Sequence, residues 1–533
     1  MEKTSQHDRR KHAEAGFFSR EAVGSVPWVI LGKAVLFFVY FGISMLTVNG
    51  LGKEQYGIYS LMTNISAYMV VLCSLGLGAA LMRYVPELTA RKNRRGLLFL
   101  MWKSAVLQLA AVVGVSAVLL YFSGPLQQLF QAGHVEHFRF YLMLACGLAL
   151  LLLLKDFVGT VFTSIYKTRT AAILSVVYGS VWLLMLYVWL YYKPAIGSVF
   201  FVQMLSIGLI YSLGAVLLFK YVYGLTWTNN EFGIGKKRTL AFSATVMLST
   251  LLRMVMFKYS EIFFVAAVMG ATAAGVYDLG YTLPYTVITF IPLALLPVFT
   301  SAFAEAFVRD PGCLGRLIRS YYKVLMLASM PIGILGAFFA PDAYRILYRG
   351  QMEEAGHLAS AFCMVLLLPL ISMPLSAAIK AKEKVLQMVP MLILQLVVNL
   401  YLDWLFIVYF KLGTWGGIYA VAGTFLLTIP FRLAVIQKVL GGIYFPAGFF
   451  FRIGSVLAVL SFLLKQLTDS VGLFHLFTYQ WINIGLLFAT GGLFLVLFVL
   501  CIRYLGLIRR EDVEEFQALD IRKLNRVIRL LVK

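Results

Sequence analysis

Charged residues are scarce in this chain, and their scarcity excludes most soluble proteins. Only 13% of the 533 residues are Asp, Glu, Lys or Arg, whereas 61% are hydrophobic, and soluble domains are about 45–50% apolar. A soluble chain of this length could not cover its surface with so few charges. Apolar runs of about 20 residues, the length that spans a bilayer, recur throughout. We count fourteen, at roughly 27–50, 56–82, 97–122, 141–165, 170–192, 196–219, 241–268, 275–300, 321–340, 359–379, 386–410, 416–437, 453–469 and 481–502.

Motifs of enzymes, metal sites and nucleotide sites are also missing. The five cysteines have no metal-ligand spacing and none lies in a predicted outer loop, so we expect neither a metal site nor a disulfide framework. There is no G-x-x-x-x-G-K-[ST] loop, so an ATP-driven pump would need a nucleotide-binding partner chain. The longest predicted outer loops, about 123–140 and 341–358, are too short for a catalytic domain. We therefore expect a protein that is not an enzyme and has no cofactor.

The basic excess follows the membrane topology rather than a nucleic-acid partner. The net charge is +22. With fourteen spans and a cytoplasmic N-terminus, 35 of the 46 Lys and Arg residues fall in inner loops, tails and the inner ends of spans, and 7 fall in outer loops or at the outer end of a span. This asymmetry is the positive-inside rule, which places both termini in the cytoplasm. The remaining four basic residues lie inside predicted spans: Lys33, Lys155, Arg253 and Lys258.

An internal repeat divides the chain into two similar halves. Gly52, Gly57, Ile58 and Tyr59 return as Gly270, Gly275, Val276 and Tyr277, displaced by 218 positions. The sequence therefore predicts an all-α polytopic protein with two pseudo-symmetric six-helix lobes and two further helices. Transporters place their substrate site between such repeats. The predicted segments are a cytoplasmic tail (1–26), an N-lobe (27–220), an inner loop (221–240), a C-lobe (241–440), helices 13 and 14 (441–505) and an amphipathic cytoplasmic tail (506–533).

Ionisable residues inside the spans are the candidate functional residues, because each costs about 2.5–3.5 kcal/mol to insert and usually faces a cavity or a partner. Arg253 lies about 18 Å along the seventh span at 1.5 Å per residue, near the middle of the membrane. Lys258 and Glu261, three residues apart, can pair. This span is either a wet cationic stripe or, in part, a neutralised structural ion pair.

The first, second and fourth spans carry further candidates. Lys33 lies about 9 Å into the first span, where it can snorkel to the headgroups, yet the repeat maps it close to Arg253. Arg83 is either an interfacial anchor or a group that receives a phosphate. Lys155 and Asp156 are adjacent, so their charges favour mutual neutralisation, although consecutive helix positions point about 100° apart.

Two acidic residues, Asp403 and Asp278, complete the set of candidate functional residues. Asp403 continues a polar face with Gln395 and Asn399 at intervals of four, which either lines a lumen or holds helices together. Asp278 lies near the end of the eighth span and either joins a polar face or meets water. Glu261, Asp156, Asp403 and Asp278 are candidates for ion coupling or charge pairing.

The chain resembles the polysaccharide-transporter branch of the multidrug/oligosaccharidyl-lipid/polysaccharide exporter superfamily, and in particular its O-antigen-type flippases. The similarity is carried by LGKEQYGIYSLMTNISAYMVVLCSLGLGAALMRYVPEL (51–88), MGATAAGVYDLGYTLPYTVITFIPLALLPVFTSAF (269–303) and LGTWGGIYAVAGTFLL (412–427). It implies a fourteen-helix flippase in the bacterial inner membrane with a central cationic cavity. Such a protein moves undecaprenyl-pyrophosphate-linked sugars outward by alternating access, for lipopolysaccharide O-antigen or exopolysaccharide. Its partners are the lipid-linked oligosaccharide, membrane lipids and polymerase or synthase subunits.

Other functions fit the same features. A cation-coupled drug exporter or a peptidoglycan-precursor flippase of the same superfamily would share the fold. A non-transporting scaffold of a polysaccharide synthase complex belongs to a different class. The duplication, the buried positive charge and the family resemblance make the lipid-linked oligosaccharide flippase the leading hypothesis.

Overall fold

The computed structural model describes most of the two predicted lobes. It covers residues 2–133, 135–165, 167–224, 243–244, 246–248, 250–252, 260–309, 314–382, 385–442, 444–475, 479–509 and 511–512. Side chains are described from Leu31 onward, except at 90, 294, 297–298, 300–302, 304–309, 380–381 and 385–386.

The described residues form sixteen α-helices and no β-strand, which confirms the predicted all-α class. In a bilayer each helix satisfies its own backbone hydrogen bonds, which an open strand cannot do. The helices are α1 Glu2–Ser74, α2 Leu77–Ala90, α3 Arg94–Tyr121, α4 Ser123–Leu129, α5 Phe138–Ser164, α6 Thr168–Tyr192, α7 Ile196–Gly224, α8 Ser260–Met269, α9 Ala271–Arg309, α10 Leu314–Leu347, α11 Glu353–Val365, α12 Met373–Ala381, α13 Val389–Asp403, α14 Thr414–Leu440, α15 Ala447–Val471 and α16 Gln480–Tyr504.

Short segments of other helical types connect some of these helices. Three 3₁₀ turns cover Leu368–Ile371, Val385–Met388 and Leu473–His475. A π-helix, Trp404–Tyr409, continues α13. π-helical turns are rare and are frequent at functional sites.

Helix ends follow ordinary capping chemistry. Asn93 begins α3, because its side-chain oxygen accepts a hydrogen bond from the Gly96 amide at 2.8 Å. Gly441 ends α14 and Gly472 ends α15, each with a left-handed backbone that a glycine adopts without strain.

Eleven helices among the described residues are long and apolar enough to cross a membrane. The first of these, Leu31–Ser74, contains two of the predicted spans, since Gly52 breaks the helix with φ 76° and ψ 172°. The eighth predicted span lies in α9, and the seventh lies partly outside the described residues and ends in α8. Counting Leu31–Ser74 as two spans and adding α9, the described helices correspond to thirteen of the fourteen predicted spans.

The chain divides into two compact units, Met1–Leu251 (unit 1) and Leu252–Lys533 (unit 2). In unit 1, α1 packs against α5 and α6, and α7 packs against α5 and α6. In unit 2, α10 packs against α9, α11 and α15, and α13 packs against α14. Helices 13 and 14 of the prediction, α15 and α16, belong to unit 2. The residues at which each predicted segment begins and ends stay a prediction.

The 218-residue repeat is visible in the backbone of each unit. Gly52 and Gly270 both have positive φ, 76° and 86°, and both separate two helices. Gln131 and Arg349, also 218 positions apart, have φ of 48° and 53°. Such angles are uncommon for residues other than glycine, so their recurrence at one offset indicates duplicated geometry.

The C-terminal helices are joined to the C-terminal end of α10. Lys465 of α15 lies 2.8 Å from the Asp342 carboxylate of α10. Gln480, the first residue of α16, donates hydrogen bonds to the carbonyl oxygens of Ile346 and Leu347 at 3.0 and 3.1 Å. These bonds satisfy carbonyl groups that the end of a helix leaves free.

The opposite end of α10 holds the segment that follows α16. The Lys323 ammonium lies 2.6 Å from the Asp512 carboxylate, and both side chains are buried. Arg452 of α15 approaches the second Asp512 oxygen at 3.4 Å, and the Arg509 amide donates to it at 2.7 Å. The predicted amphipathic tail begins here, but residues 513–533 lie outside the described residues.

Candidate functional site

Unit 1 contains a polar cavity of about 450 Å³, which we call the Lys155 cavity. Its wall includes the start of α2, about three turns of α5, and parts of α3, α6 and α7. Both Lys155 and Asp156 of α5 line it. The other polar side chains that line it are Ser74, Gln108, Thr160, Thr163, Ser175, Tyr211 and Thr250.

Lys155 and Asp156 share the cavity without forming an ion pair among the described residues. The Lys155 ammonium lies 5.7 Å from the centre of the Tyr178 ring, within cation–π range. Asp156 is the more exposed of the two within the unit. Because adjacent helix positions diverge by about 100°, the two side chains cannot easily meet. The two side chains still interact electrostatically, so their mutual neutralisation stays a prediction.

Hydrogen bonds fix the polar groups around these charges. The Ser175 and Tyr211 hydroxyls are 3.2 Å apart and link α6 to α7. Gln108 of α3 donates to the Ser74 carbonyl oxygen at 3.3 Å. The cavity thus offers an ammonium, a carboxylate and several hydroxyls, which suit phosphate oxygens and sugar hydroxyls.

The cavity wall requires glycine at one position. Gly76 has φ 67°, and a Cβ added there would lie 2.1 Å from the Ser243 carbonyl oxygen. No L-residue could stand there without displacing the backbone at Ser243.

Two other predicted cationic residues of unit 1, Lys33 and Arg83, lie away from Lys155. Both are exposed on unit 1, and neither lines the Lys155 cavity. Arg253 and Lys258 lie outside the described residues, so their predicted roles, including a Lys258–Glu261 pair, stay predictions.

Unit 2 contains a buried cluster of polar side chains at the junction of α8, α13 and α14. We call it the Glu261–Asp403 cluster, and its described members are Ser260, Glu261, Gln395, Asn399, Asp403, Thr424 and Thr428. Glu261, Gln395, Asn399 and Asp403 are completely buried. The two carboxyl groups are close enough to interact electrostatically.

Asn399 links the three helices. Its amide donates to Glu261 Oε1 at 3.0 Å and to Thr424 Oγ1 at 3.5 Å, while its oxygen accepts from the Ser260 hydroxyl at 3.0 Å. Gln395, one turn earlier, donates to Thr428 Oγ1 at 2.9 Å. The interval of four along α13 therefore forms one face, as predicted, and this face packs against α8 and α14. Its complete burial contradicts the lumen interpretation, since the side chains hold the helices together.

The cluster retains acceptor atoms without donors among the described residues. Glu261 Oε2 and Gln395 Oε1 accept no hydrogen bond there, and Ser260 is the donor nearest to Asp403. Burying an unpaired charge is costly, so buried carboxyl groups are usually protonated or paired with a cation. The acceptor atoms of the cluster are all oxygen, which suits a proton or a hard cation.

The backbone around the cluster is adapted to it. The π-helix begins directly after Asp403 and ends with the Phe410 amide bonded to the Leu405 carbonyl oxygen at 2.9 Å. Tyr277, the repeat residue, is completely buried and within electrostatic range of both carboxyl groups. A Cβ at Gly417 would lie 2.6 Å from the Tyr277 ring, so α14 approaches this ring only because residue 417 is glycine.

Asp278 is buried rather than in contact with water. Only 8% of it is exposed, and the Thr282 hydroxyl donates to its Oδ1 at 3.0 Å. The water-facing interpretation of this residue is therefore wrong, because the packing of α9 covers the carboxylate.

Sequence reasoning missed several functional and structural partners. Thr424 and Thr428 repeat at an interval of four on α14, a signal that could have been combined with the α13 face. Arg432, one turn further, is buried and donates from its Nη1 to the Ser372 hydroxyl. The contacts of Lys323 and Asp512, which are 189 residues apart, had no sequence signal.

Comparisons with known proteins agree with this architecture. The family description "Polysaccharide biosynthesis protein" matches residues 23–303. No curated protein matches the sequence. The lipid II flippase MurJ in an inward closed conformation is 14% identical, with 92% of this chain and 100% of that chain covered and a TM-score of 0.63. An inward-facing multidrug resistance MATE family transporter of the MOP superfamily is 15% identical, with 76% and 94% covered and a TM-score of 0.60. At these identities the likeness shows the fold.

Proposed function

Because this chain belongs to the polysaccharide biosynthesis protein family, we propose that it is a flippase for lipid-linked oligosaccharides. In this proposal it moves undecaprenyl-pyrophosphate-linked sugar units across the bacterial inner membrane by alternating access, with both termini in the cytoplasm. The products serve cell-surface polysaccharide such as O-antigen or exopolysaccharide. The observation that carries the proposal is the Lys155 cavity, a polar cavity within a membrane-spanning bundle that is lined by an ammonium, a carboxylate and several hydroxyls.

Lys155 is assigned to the anionic part of the substrate. A diphosphate needs cationic donors, and an ammonium can make charge-assisted hydrogen bonds to its oxygens. The hydroxyls of Ser175, Tyr211 and Thr160 suit a sugar. Arg253 and Lys258 are proposed as further cationic contacts, on their predicted position alone.

The Glu261–Asp403 cluster is assigned to energy coupling. Two buried carboxyl groups that share a site favour a bound proton or monovalent cation, since one positive charge offsets their repulsion. Binding of that charge changes the packing energy of α8, α13 and α14, which meet at Asn399. A membrane gradient of the ion would thereby bias the conformation of unit 2.

The decisive experiment is transfer of a short fluorescent undecaprenyl-pyrophosphate-linked glycan across reconstituted vesicles. Lys155→Ala is compared with Lys193→Ala, an exposed lysine in a predicted outer loop. Loss of a charged hydrogen bond of about 1.5–3 kcal/mol predicts a roughly 10- to 100-fold weaker apparent affinity for Lys155→Ala. Arg253→Ala is a second arm, and unchanged transfer by it would remove Arg253 from the substrate path.

The coupling assignment has its own test. Proton and sodium gradients are imposed separately, and Glu261→Gln and Asp403→Asn are compared with Glu353→Gln, which changes an exposed acid of the same unit. We expect gradient-stimulated transfer to vanish in the two cluster variants while transfer without a gradient persists. Equal stimulation in all three variants would contradict the coupling role.

Three alternatives are separated by parallel substrates. Extrusion of a cationic dye without glycan transfer would favour a drug exporter, as the likeness to a multidrug resistance transporter suggests. Transfer of a peptidoglycan precursor in preference to the glycan would favour a precursor flippase. No transfer by a folded protein that co-purifies with a synthase would favour the scaffold.

A further inference from the structure

A second cavity of unit 1 opens between α3 and α7, with α5 as its floor, and we call it the α3–α7 crevice. Its volume is about 400 Å³. Trp102, Leu109 and Phe219 line it and are 70%, 50% and 44% exposed in the unit. Apolar side chains this exposed on a membrane-spanning bundle are suited to contact hydrocarbon, since burying them in water-free surroundings is favourable.

Cationic side chains stand at one end of this crevice. The Arg94 guanidinium lies 4.5 Å from the centre of the Tyr223 ring, and Tyr223 lines the crevice. The Lys103 ammonium reaches back along α3 to 4.4 Å from the Phe99 ring. Lys220 precedes Tyr223 by one turn of α7 and is exposed. None of these three cations forms an ion pair within the described part of the chain.

The surrounding segments strengthen this positive field. Besides Arg94, the segment 91–95 contains three further cationic residues, Arg91, Lys92 and Arg95. The nearby carboxylate of Glu87 is already paired with Arg91 at 2.7 Å. A ring contact leaves the donor groups of Arg94 free along the edge of the guanidinium, where they can meet phosphate oxygens.

We propose that the α3–α7 crevice is a binding site for an anionic phospholipid of the leaflet at this basic end. One acyl chain lies in the crevice against Trp102, and the phosphate lies between Arg94 and Lys220. Basic pockets between membrane helices bind anionic headgroups, and each cation contributes about 1 kcal/mol. A zwitterionic lipid has the same acyl chains, but its ammonium group would be repelled by the positive charges of Arg94 and Lys220.

The position of the crevice gives the bound lipid a consequence for the neighbouring cavity. Gln108, Leu153 and Phe157 line both the crevice and the Lys155 cavity. Gln108 is only 7% exposed, and its bond to the Ser74 carbonyl oxygen spans this shared wall. An acyl chain in the crevice therefore supports the wall of the Lys155 cavity from its apolar side.

Trp102 provides a direct test by fluorescence quenching. The full chain is placed in phosphatidylcholine nanodiscs that contain increasing mole fractions of phosphatidylglycerol with brominated acyl chains. The Trp102 signal is the difference between the wild type and Trp102→Phe. Arg94→Gln is compared with Arg139→Gln at the other end of the unit. Ala105→Phe, which fills the crevice, is compared with Ala110→Phe, which lies on the same helix outside it.

We expect saturable quenching of Trp102 by brominated phosphatidylglycerol, at a lower mole fraction than by brominated phosphatidylcholine. Arg94→Gln should raise the half-saturating fraction about fivefold, the equivalent of about 1 kcal/mol, and Arg139→Gln should not. Ala105→Phe should abolish the saturable component even if Arg94→Gln proves unstable.

Identical curves for the two brominated lipids would overturn the proposal in favour of ordinary annular contact. Displacement of the quencher by stoichiometric undecaprenyl phosphate would overturn it in favour of a substrate lipid. Neither result depends on transport.

Discussion

Removal of the Asp512 carboxylate should destabilise unit 2 more than the loss of any exposed ion pair in the chain. The Asp512→Asn variant removes the negative charge that lies 2.6 Å from the ammonium of Lys323, a side chain that is about 95% buried. Breaking a buried pair by removing one partner costs about 3–5 kcal/mol, because the remaining charge stays desolvated. Arg452, at 3.4 Å and more exposed, cannot compensate, since it carries the same charge as Lys323.

The assay is reversible unfolding in mixed detergent micelles, followed by circular dichroism. The matched control is Glu87→Gln, which breaks the exposed pair with Arg91 at an interval of four and should cost about 0.3–0.5 kcal/mol. A double variant, Lys323→Met with Asp512→Leu, removes both charges and should recover most of the lost stability. Equal effects of Asp512→Asn and Glu87→Gln, or no recovery in the double variant, would refute the reasoning.

Three further predictions concern close packing and the buried cluster. Gly76→Ala should lower the melting temperature, because its Cβ would collide with a backbone oxygen at 2.1 Å. The control is Gly114→Ala, whose Cβ would meet no atom within 4 Å, and which should leave the stability unchanged or raise it by about 1 kcal/mol. Parallel thermal melts compare the two variants. Asn399→Ala should cost about 1–3 kcal/mol in the same micelle unfolding assay, because it orphans buried polar groups, and a neutral result would contradict the bonding described. Gly417→Ala should lower thermal stability through the 2.6 Å approach to the Tyr277 ring, and an unchanged melt would show that the ring can move.

The architecture was predictable because a bilayer leaves a chain few options. Apolar runs of about 20 residues can only be helices there, and the fourteen predicted spans follow from composition and length. The repeat was predictable because Gly52 and Gly270 need left-handed backbone, which few other residues adopt. The pair Gln131 and Arg349 was not, since nothing in their chemistry requires positive φ.

The sequence predicted which candidate residues share a helix face, but not which helices pack against that face. An interval of four placed Gln395, Asn399 and Asp403 on one side of α13, yet periodicity cannot say which helix covers that side. Their burial against α8 and α14 depends on tertiary packing, and the lumen interpretation failed for that reason. For Lys155 and Asp156, helix geometry predicted side chains that diverge by about 100°, but the cavity that both of them line depends on tertiary packing.

The attachment of the two last helices to α10 at both ends makes them a reporter for unit 2. Lys465 and Gln480 hold one end, and Asp512 holds the other. A spin label on α16 and a second label on α10 should therefore keep a constant separation during turnover. Either label, measured against a third on unit 1, would then read out the transport cycle without touching the substrate path.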